Sequence, residues 1–251
     1  MTDLRRRLPG APPDLLRRGG DPPDVVLVPG LGLSVDGWRA PALLLAGRLR
    51  IGTAAVALPA HGLPARPDEL LDPVSSACRL LERLDALGAG PVVLVGHSAS
   101  CQVVAEAARR APDRVRALVL VGPTTDPRAP TWPRLAARWL ATAGHERLGQ
   151  VPLLLRDYPH SGLLTFARAM DAARRHALAP VLAGLDHPVL AVRGPRDLIA
   201  PAAWLDDLAA LRPGIGAATL PAGGHMLPLT HPHELAEVLV PFLADRADPS
   251  S

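Results

Sequence analysis

Lysine is absent from this chain of 251 residues, and all 27 basic residues are arginine. Against them stand 24 acidic residues, so the net charge at pH 7 is only +3. The arginines are spread among the acids, which argues against a nucleic-acid partner. The densest cluster joins Arg5, Arg6 and Arg7 to Arg17 and Arg18. We expect it to lie on a solvated N-terminal arm, with a membrane or partner contact as the alternative.

Aromatic residues make up only 3% of the chain, which predicts a core of Leu, Val and Ala. Hydrophobic residues at 48% and charged residues at 20% exclude a disordered protein. Two cysteines cannot staple a chain of this length, so Cys78 and Cys101 are expected to be buried, reduced thiols. No apolar run reaches the roughly 18 residues of a membrane-spanning helix, and no secretory signal follows Met1. These absences predict a soluble, cytoplasmic protein without a membrane partner.

Short Val- and Leu-rich runs bounded by Pro and Gly recur along the chain, as buried parallel strands do. They span residues 25–28, 53–58, 91–95, 117–121, 188–192 and 215–220. Helical patterns follow several of them, over residues 72–84, 99–110, 201–211 and 231–243. This alternation predicts an α/β fold with a mostly parallel sheet of about six to eight strands, flanked by helices.

One interval breaks the alternation. Residues 126–185 contain helical patterns at 135–148, 151–158 and 163–185, but no strand. This is too long for a simple crossover. We therefore expect an N-terminal arm at 1–24, an α/β core at 25–125 and 186–246, and an inserted helical cap at 126–185.

The segment Gly96-His97-Ser98-Ala99-Ser100 follows a strand and precedes a helix. A serine at such a sharp turn is typical of a nucleophile elbow, which lifts the hydroxyl clear of the sheet. Small neighbours are needed two positions either side, and Ser100 stands where the pattern has Gly. The alternative is that Ser98 merely caps the helix.

A serine needs a base to take its proton, and the base needs a carboxylate. His225 follows the last strand after two glycines that would give a flexible loop, and Asp197 follows the strand before it. His231 and His233 compete with His225, but they fit better at the start of the last helix. Asp126 is the rival acid.

The developing oxyanion needs two N–H donors. We expect one from Ala99, directly after the serine, and the other from Leu31 in the loop after the first strand. Gly30 lets that loop turn and is expected to contribute to the substrate-binding surface.

Together these motifs resemble the α/β-hydrolase superfamily, in particular its capped, single-domain, esterase-like members. The likeness extends from Val25 to Leu243 and also includes His61-Gly62, a turn with a structural role in that family. The resemblance implies an acyl-enzyme at Ser98. The first two antiparallel strands of the family are not evident in residues 1–24.

Four of the seven aromatic residues lie within 126–185: Trp132, Trp139, Tyr158 and Phe166. We expect some of these rings to line an apolar substrate pocket facing Ser98. The alternative is that they only pack the cap onto the body.

These features favour a serine hydrolase cleaving a carboxylic ester or thioester of a small, largely apolar molecule. The same triad could instead serve C–C bond hydrolysis, a lyase or an acyltransferase, or the fold could bind a ligand without catalysis. No cofactor or metal is required: position 35 is Val35 where a dinucleotide loop needs its third glycine, and His231 with His233 is a weak metal pair. The sequence leaves the oligomeric state open.

Overall fold

The computed structural model describes residues 12–246, so Arg5, Arg6 and Arg7 of the expected arm lie outside the described residues. The strands are β1 (Leu15–Arg18), β2 (Val25–Val28), β3 (Thr53–Val56), β4 (Leu58–Pro59), β5 (Gly62–Leu63), β6 (Val92–His97), β7 (Val115–Val121), β8 (Val189–Arg193) and β9 (Ile215–Thr219). The helices are α1 (Arg39–Leu49), α2 (Pro73–Ala86), α3 (Ser100–Arg110), α4 (Trp132–Ala143), α5 (Val151–Ser161), α6 (Leu163–Arg175), α7 (Leu178–Ala183), α8 (Ala202–Ala209), α9 (Leu227–Thr230) and α10 (Pro232–Ala244).

Within the described residues, seven strands form one sheet in the order β1-β3-β2-β6-β7-β8-β9. All neighbours are parallel except β1, which runs antiparallel to β3. This confirms the predicted α/β class and its mostly parallel sheet. The parallel strands bring their carboxyl ends to one edge, where open sheets place their sites.

The N-terminal residues differ from the expected arm. Leu15–Arg18 forms the edge strand β1, with Leu15 opposite Val56. Leu16 is buried and packs in the core, whereas Arg17 is exposed and pairs with Asp21. Residues 15–18 are therefore a strand of the sheet, held by backbone pairing with β3 and by the buried side chain of Leu16.

Alternate side chains of the central strands enter two cores, one on each face of the sheet. On one face, Val26 and Val28 of β2 pack with residues of α2, α3, α7 and α8. On the other face, Val25 and Leu27 pack with α1 and α10. Both faces are covered, which is why the strands read as continuous apolar runs.

Between β7 and β8 the chain forms α4 to α7, and we call residues 126–185 the cap segment. The helical pattern at 163–185 is split into α6 and α7 by the extended residue His176. Gln102 of α3 binds the backbone at this break: its Nε2 donates to the carbonyl oxygens of Ala173 at 2.9 Å and His176 at 2.7 Å. Tertiary hydrogen bonds therefore override the helical pattern at this point.

Two further expectations can be compared with the structure. Neither cysteine is in a disulfide; Cys101 is buried, but Cys78 is only half-buried, on α2. Among residues 12–246, no helix has the length and apolar character needed to cross a membrane.

Candidate active site

Ser98 lies between β6 and α3 in a left-handed backbone conformation, with φ of 58°. A non-glycine residue held there costs on the order of 1–3 kcal/mol, so the surroundings must enforce it. One restraint is the hydrogen bond from Ser98 N to the carbonyl oxygen of Val121 at 2.8 Å. The structure thus has the strand–turn–helix geometry expected of an elbow.

The two small neighbours of Ser98 have different roles. A Cβ added to Gly96 would lie 2.6 Å from the carbonyl oxygen of Ser100 and 2.8 Å from Cys101 N, so only glycine fits there. Ser100, by contrast, is fully buried and uses its hydroxyl. Its Oγ accepts from His97 N at 2.9 Å, and its one proton faces two acceptors, the carbonyl oxygens of His97 at 2.7 Å and Val28 at 2.9 Å. Serine in place of the pattern's glycine therefore adds a polar contact where β2, β6 and α3 meet.

The structure brings Ser98, His225 and Asp197 together. His225 Nδ1 lies 2.8 Å from Asp197 Oδ2, and His225 Nε2 lies 2.9 Å from Ser98 Oγ. Because a carboxylate can only accept, Nδ1 carries the proton and Nε2 is free to accept one from the serine hydroxyl. This is the geometry that activates a serine nucleophile.

The charges of the pair stabilise each other. Burial would raise the pKa of Asp197, but the charge and hydrogen bond of His225, with amide donors from Ala200 and Ile199, hold it below its usual value. Burial lowers the pKa of His225, but the charge and hydrogen bond of Asp197 and the charge of Glu146 outweigh this, and the pKa is raised. Asp197 is therefore ionised, and a proton on His225 is stabilised.

The competing residues do not form this chain of contacts. Asp126 is held by Arg138 at 2.6 Å and Arg128 at 3.1 Å, on the wall of the cavity over Ser98. His231 precedes α10, with Nδ1 2.8 Å from Thr230 Oγ1. His233 is exposed on α10.

Two other buried histidines support the site. His61 Nδ1 donates to the carbonyl oxygen of Pro29 at 3.0 Å, and burial lowers the pKa of His61 to about 4. His97 Nε2 donates to the carbonyl oxygen of His225 at 3.0 Å; burial, then the charge of His225, lower the pKa of His97 to about 3. Both are neutral donors at pH 7. The sequence carries no signal for the role of His97, whose partner lies 128 positions away.

The residues expected to supply the oxyanion donors belong to the same apolar cluster. Leu31 and Ala99 are buried in one small apolar cluster, against which Phe166 of α6 packs. The loop of Leu31 is fastened by the hydrogen bond from Gly32 N to the carbonyl oxygen of Ala60 at 2.8 Å. A Cβ added to Gly30 would meet His97 Nδ1 at 2.9 Å and Ser98 Cβ at 3.3 Å, so this glycine lies against both residues. The lining of the cavity over Ser98 does not include Gly30.

A cavity of about 510 Å³ opens above Ser98, which lies in its wall. Most of its other lining is apolar and comes from the cap segment, including Trp132, Trp139, Phe166 and Met170. Tyr158 does not line it; the ring packs edge-on against Phe166 and over Gly32. Three of the four cap aromatics therefore face the cavity of Ser98.

A second cavity, of about 210 Å³, lies against His225 and Met226. Trp139 and Ile199 line both cavities, so they separate the Ser98 side from the His225 side. Tyr158, Thr142 and Glu146 complete the wall of the second cavity from the cap segment. Glu146 was not singled out by the sequence, because an acid in a polar turn has no distinctive pattern.

Within residues 12–246, no three His, Cys, Asp or Glu side chains form a group that could hold a metal ion.

Comparison with known proteins agrees with the fold. The model of the alpha/beta hydrolase family matches residues 25–238. A pimeloyl-[acyl-carrier protein] methyl ester esterase of Methylococcus capsulatus is 29% identical, covering 91% of this chain and 98% of that protein. An esterase of the same name from Aromatoleum aromaticum is 31% identical, covering 86% and 96%. The structure of a hydrolase from Pseudomonas aeruginosa PA01 superposes with a TM-score of 0.74 at 23% identity, covering 91% and 93%.

Proposed function

The chain belongs to the alpha/beta hydrolase family, as an enzyme of its ester-cleaving kind, and from that premise we propose that Ser98 is its nucleophile. The substrate is a carboxylic ester or thioester of a small, largely apolar molecule. The observation that carries the proposal is the continuous hydrogen-bonded chain from Ser98 Oγ through His225 to Asp197.

In the first half-reaction, Ser98 Oγ attacks the carbonyl carbon while His225 Nε2 takes the hydroxyl proton. The carbonyl oxygen becomes an oxyanion, which the N–H groups of Leu31 and Ala99 stabilise. The tetrahedral intermediate collapses as the imidazolium returns its proton to the leaving alcohol or thiol. The acyl group remains on Ser98.

In the second half-reaction, His225 removes a proton from water, and the hydroxide attacks the acyl-enzyme. The proton then returns to Ser98 Oγ, and the carboxylic acid leaves. Asp197 holds the imidazole in the required tautomer and stabilises its positive charge in both steps. Its charge is effective because it is fully buried.

The two cavities support a division of the substrate. The leaving group must lie beside His225, because this residue gives it a proton. We therefore assign the cavity of about 210 Å³ to the leaving group and the cavity of about 510 Å³ to the acyl group. The larger volume lies in the ordinary range of small-molecule sites. The relatives are named for a methyl ester, whose leaving group is small.

We also propose that residues 126–185 act as a cap, separate in role from the α/β core at 25–125 and 186–246. Trp132, Trp139 and Phe166 come from this segment and line the cavity over Ser98. In this proposal the cap selects the substrate and the core performs the chemistry. The cytoplasmic location stays a prediction of the sequence.

An acyl-chain-length series of p-nitrophenyl esters tests the proposal, with the wild type and Ser98→Ala compared on each ester. We expect turnover by the wild type, with a preferred chain length, and a loss of kcat on the order of 10⁴-fold or more in Ser98→Ala. Equal rates for both proteins would overturn the assignment of Ser98. Turnover of C–C substrates but of no ester would favour the alternative chemistry of the same triad.

A further inference from the structure

The cap segment reaches the catalytic loop through one carboxylate. Glu146 Oε1 accepts from His225 N at 2.6 Å and from Met226 N at 3.0 Å. Hydrogen bonds from backbone N–H groups to an ionised carboxylate are about twice as strong as neutral ones. One side chain of the cap segment therefore holds the backbone on both sides of the His225 carbonyl carbon.

The loop is shaped to receive this carboxylate. A Cβ added to Gly224 would lie 2.5 Å from Glu146 Oε1 and 2.9 Å from its Cδ, so any larger residue would displace the carboxylate. We expected the glycines before His225 to give flexibility, but at Gly224 the requirement is close approach. On the cap side, Glu146 follows α4 in a turn and is joined by Gln150, whose Nε2 lies 3.5 Å from Glu146 Oε2.

The opposite side of the same loop is held by residues of the α/β core. His97 Nε2 donates to the carbonyl oxygen of His225, while Asp197 holds the ring at Nδ1. The loop is thus fixed at three points, two from the core and one from the cap segment. Removing the cap contact leaves the backbone N–H groups of His225 and Met226 without their acceptor.

Three groups from different elements face His225. Asp197 and Glu146 contribute negative charge that favours the imidazolium, and neutral His97 of β6 packs at 5.1 Å between ring centroids. Glu146 also acts on His231: its charge raises the pKa of His231, while the charge of Arg147 lowers it. Glu146 is thus one of two acids that act on the base.

We propose that Glu146 is a positioning residue. When the cap segment packs on the α/β core, Glu146 fixes the backbone of the loop that carries the base, His225. This inference rests on the proposed function, in which His225 must meet both the Ser98 hydroxyl and the leaving group. It links the segment that selects the substrate to the residue that moves the proton.

The experiment compares Glu146→Gln and Glu146→Ala with Arg168→Met. Arg168 is a matched control, since it also ties the cap segment to backbone atoms of the body, the carbonyl oxygens of Arg66 and Glu69, but away from His225. Rates against pH are measured with a short p-nitrophenyl ester. Imidazole titration of His225 by NMR is followed in the same proteins.

Glutamine keeps an acceptor oxygen but removes the charge. We expect the acid limb of kcat/KM and the NMR titration of His225 to move to lower pH in Glu146→Gln, with a smaller loss of kcat than in Glu146→Ala. Glu146→Ala should show the same movement and a kcat about tenfold lower or more, because the imidazole is misplaced. Arg168→Met should leave the pH profile unchanged.

Profiles of both Glu146 variants that superpose on the wild type would overturn the proposal. The proposal would also be overturned if Arg168→Met lowered kcat as much as Glu146→Ala and neither variant shifted the pH profile. Glu146 would then be only one more contact between the cap segment and the α/β core. Should Glu146→Ala not fold, Glu146→Gln decides through its pH shift. An inactive wild type would contradict the proposed function instead, while the NMR titration would still report on Glu146.

Discussion

Asp197 and Asp126 follow adjacent strands of the sheet, and their surroundings give them different chemistry. Asp197 accepts a hydrogen bond from His225 Nδ1 and is fully buried. Asp126 is neutralised by Arg138 and Arg128 and lies in the cavity wall. The identity of the residue alone does not distinguish them; the partner that each carboxylate meets does.

This contrast predicts unequal losses for two matched amide substitutions. Asp197→Asn should lower kcat/KM on the order of a thousandfold or more, because an amide no longer fixes the tautomer or stabilises the imidazolium. The loss of kcat/KM in Asp126→Asn should be at least tenfold smaller than in Asp197→Asn, because Asp126 pairs with Arg128 and Arg138 and not with His225. Kinetics on one p-nitrophenyl ester, above the acid limb of the profile, check both. A larger loss in Asp126→Asn would contradict the assignment of the acid.

Single residues also mark the limit of prediction from sequence. Ser98, Asp197 and His225 could be singled out because each follows a recognisable strand in a fixed chain order. His97 and Glu146 could not, because each acts on a backbone atom of the His225 loop, 128 and 79 positions away. A hydrogen bond to a backbone atom imposes no pattern on the sequence.

At the scale of elements, the crossing of α3 over β6 decides the geometry of the elbow. The first turn of α3 lies so close to Gly96 that its backbone occupies the space of a side chain. Ser100 completes the junction through its buried hydroxyl, which bridges to β2. The positive φ of Ser98 is the conformation that this close packing leaves to the nucleophile.

Gly96→Ala should therefore destabilise the fold, by about 1–3 kcal/mol or more in the free energy of unfolding, because the clash is with backbone atoms. Gly47→Ala is the matched control, since Gly47 lies within α1 with nothing within 4 Å of an added Cβ. It should stabilise the fold by up to about 1 kcal/mol. Urea denaturation of both variants measures the difference. A Gly96→Ala protein as stable as the wild type would show that the elbow relaxes.

Most strands and helices were predictable, because their apolar periodicity reflects burial. The helix α1 could not be predicted in this way, because its Ala and Leu residues are spread around all its faces and form no amphipathic stripe. Ala42 and Leu45 are nevertheless fully buried. Pro241 lies inside the last helix, but α10 runs on to Ala244. A proline so near the end disturbs few helical hydrogen bonds.

At the scale of the whole molecule, the cap segment brings apolar side chains over a charged catalytic centre. Trp139 lines both the cavity of Ser98 and that of His225, and its side chain is 43% exposed. Its ring packs edge-on against Tyr158 and Phe166 at 6.4 Å between centroids. This placement makes Trp139 the partition between the two cavities.

Trp139→Ala should join the two cavities and shift the preferred acyl chain towards longer or branched esters, with little loss on the shortest ones. Leu164→Ala is the control, because Leu164 is an equally apolar but exposed residue of α6, outside the lining of either cavity. The ester series reports both. An unchanged chain-length preference in Trp139→Ala would mean that this ring only packs the cap segment onto the body.

The proposal that Ser98 is the nucleophile, activated by His225, can be tested by labelling with a fluorophosphonate, followed by mass spectrometry of the digested protein. We expect one adduct, on Ser98, which forms in the wild type and is lost in Ser98→Ala and in His225→Ala. A folded wild type that takes no label on Ser98, or a label that persists in Ser98→Ala, would contradict it.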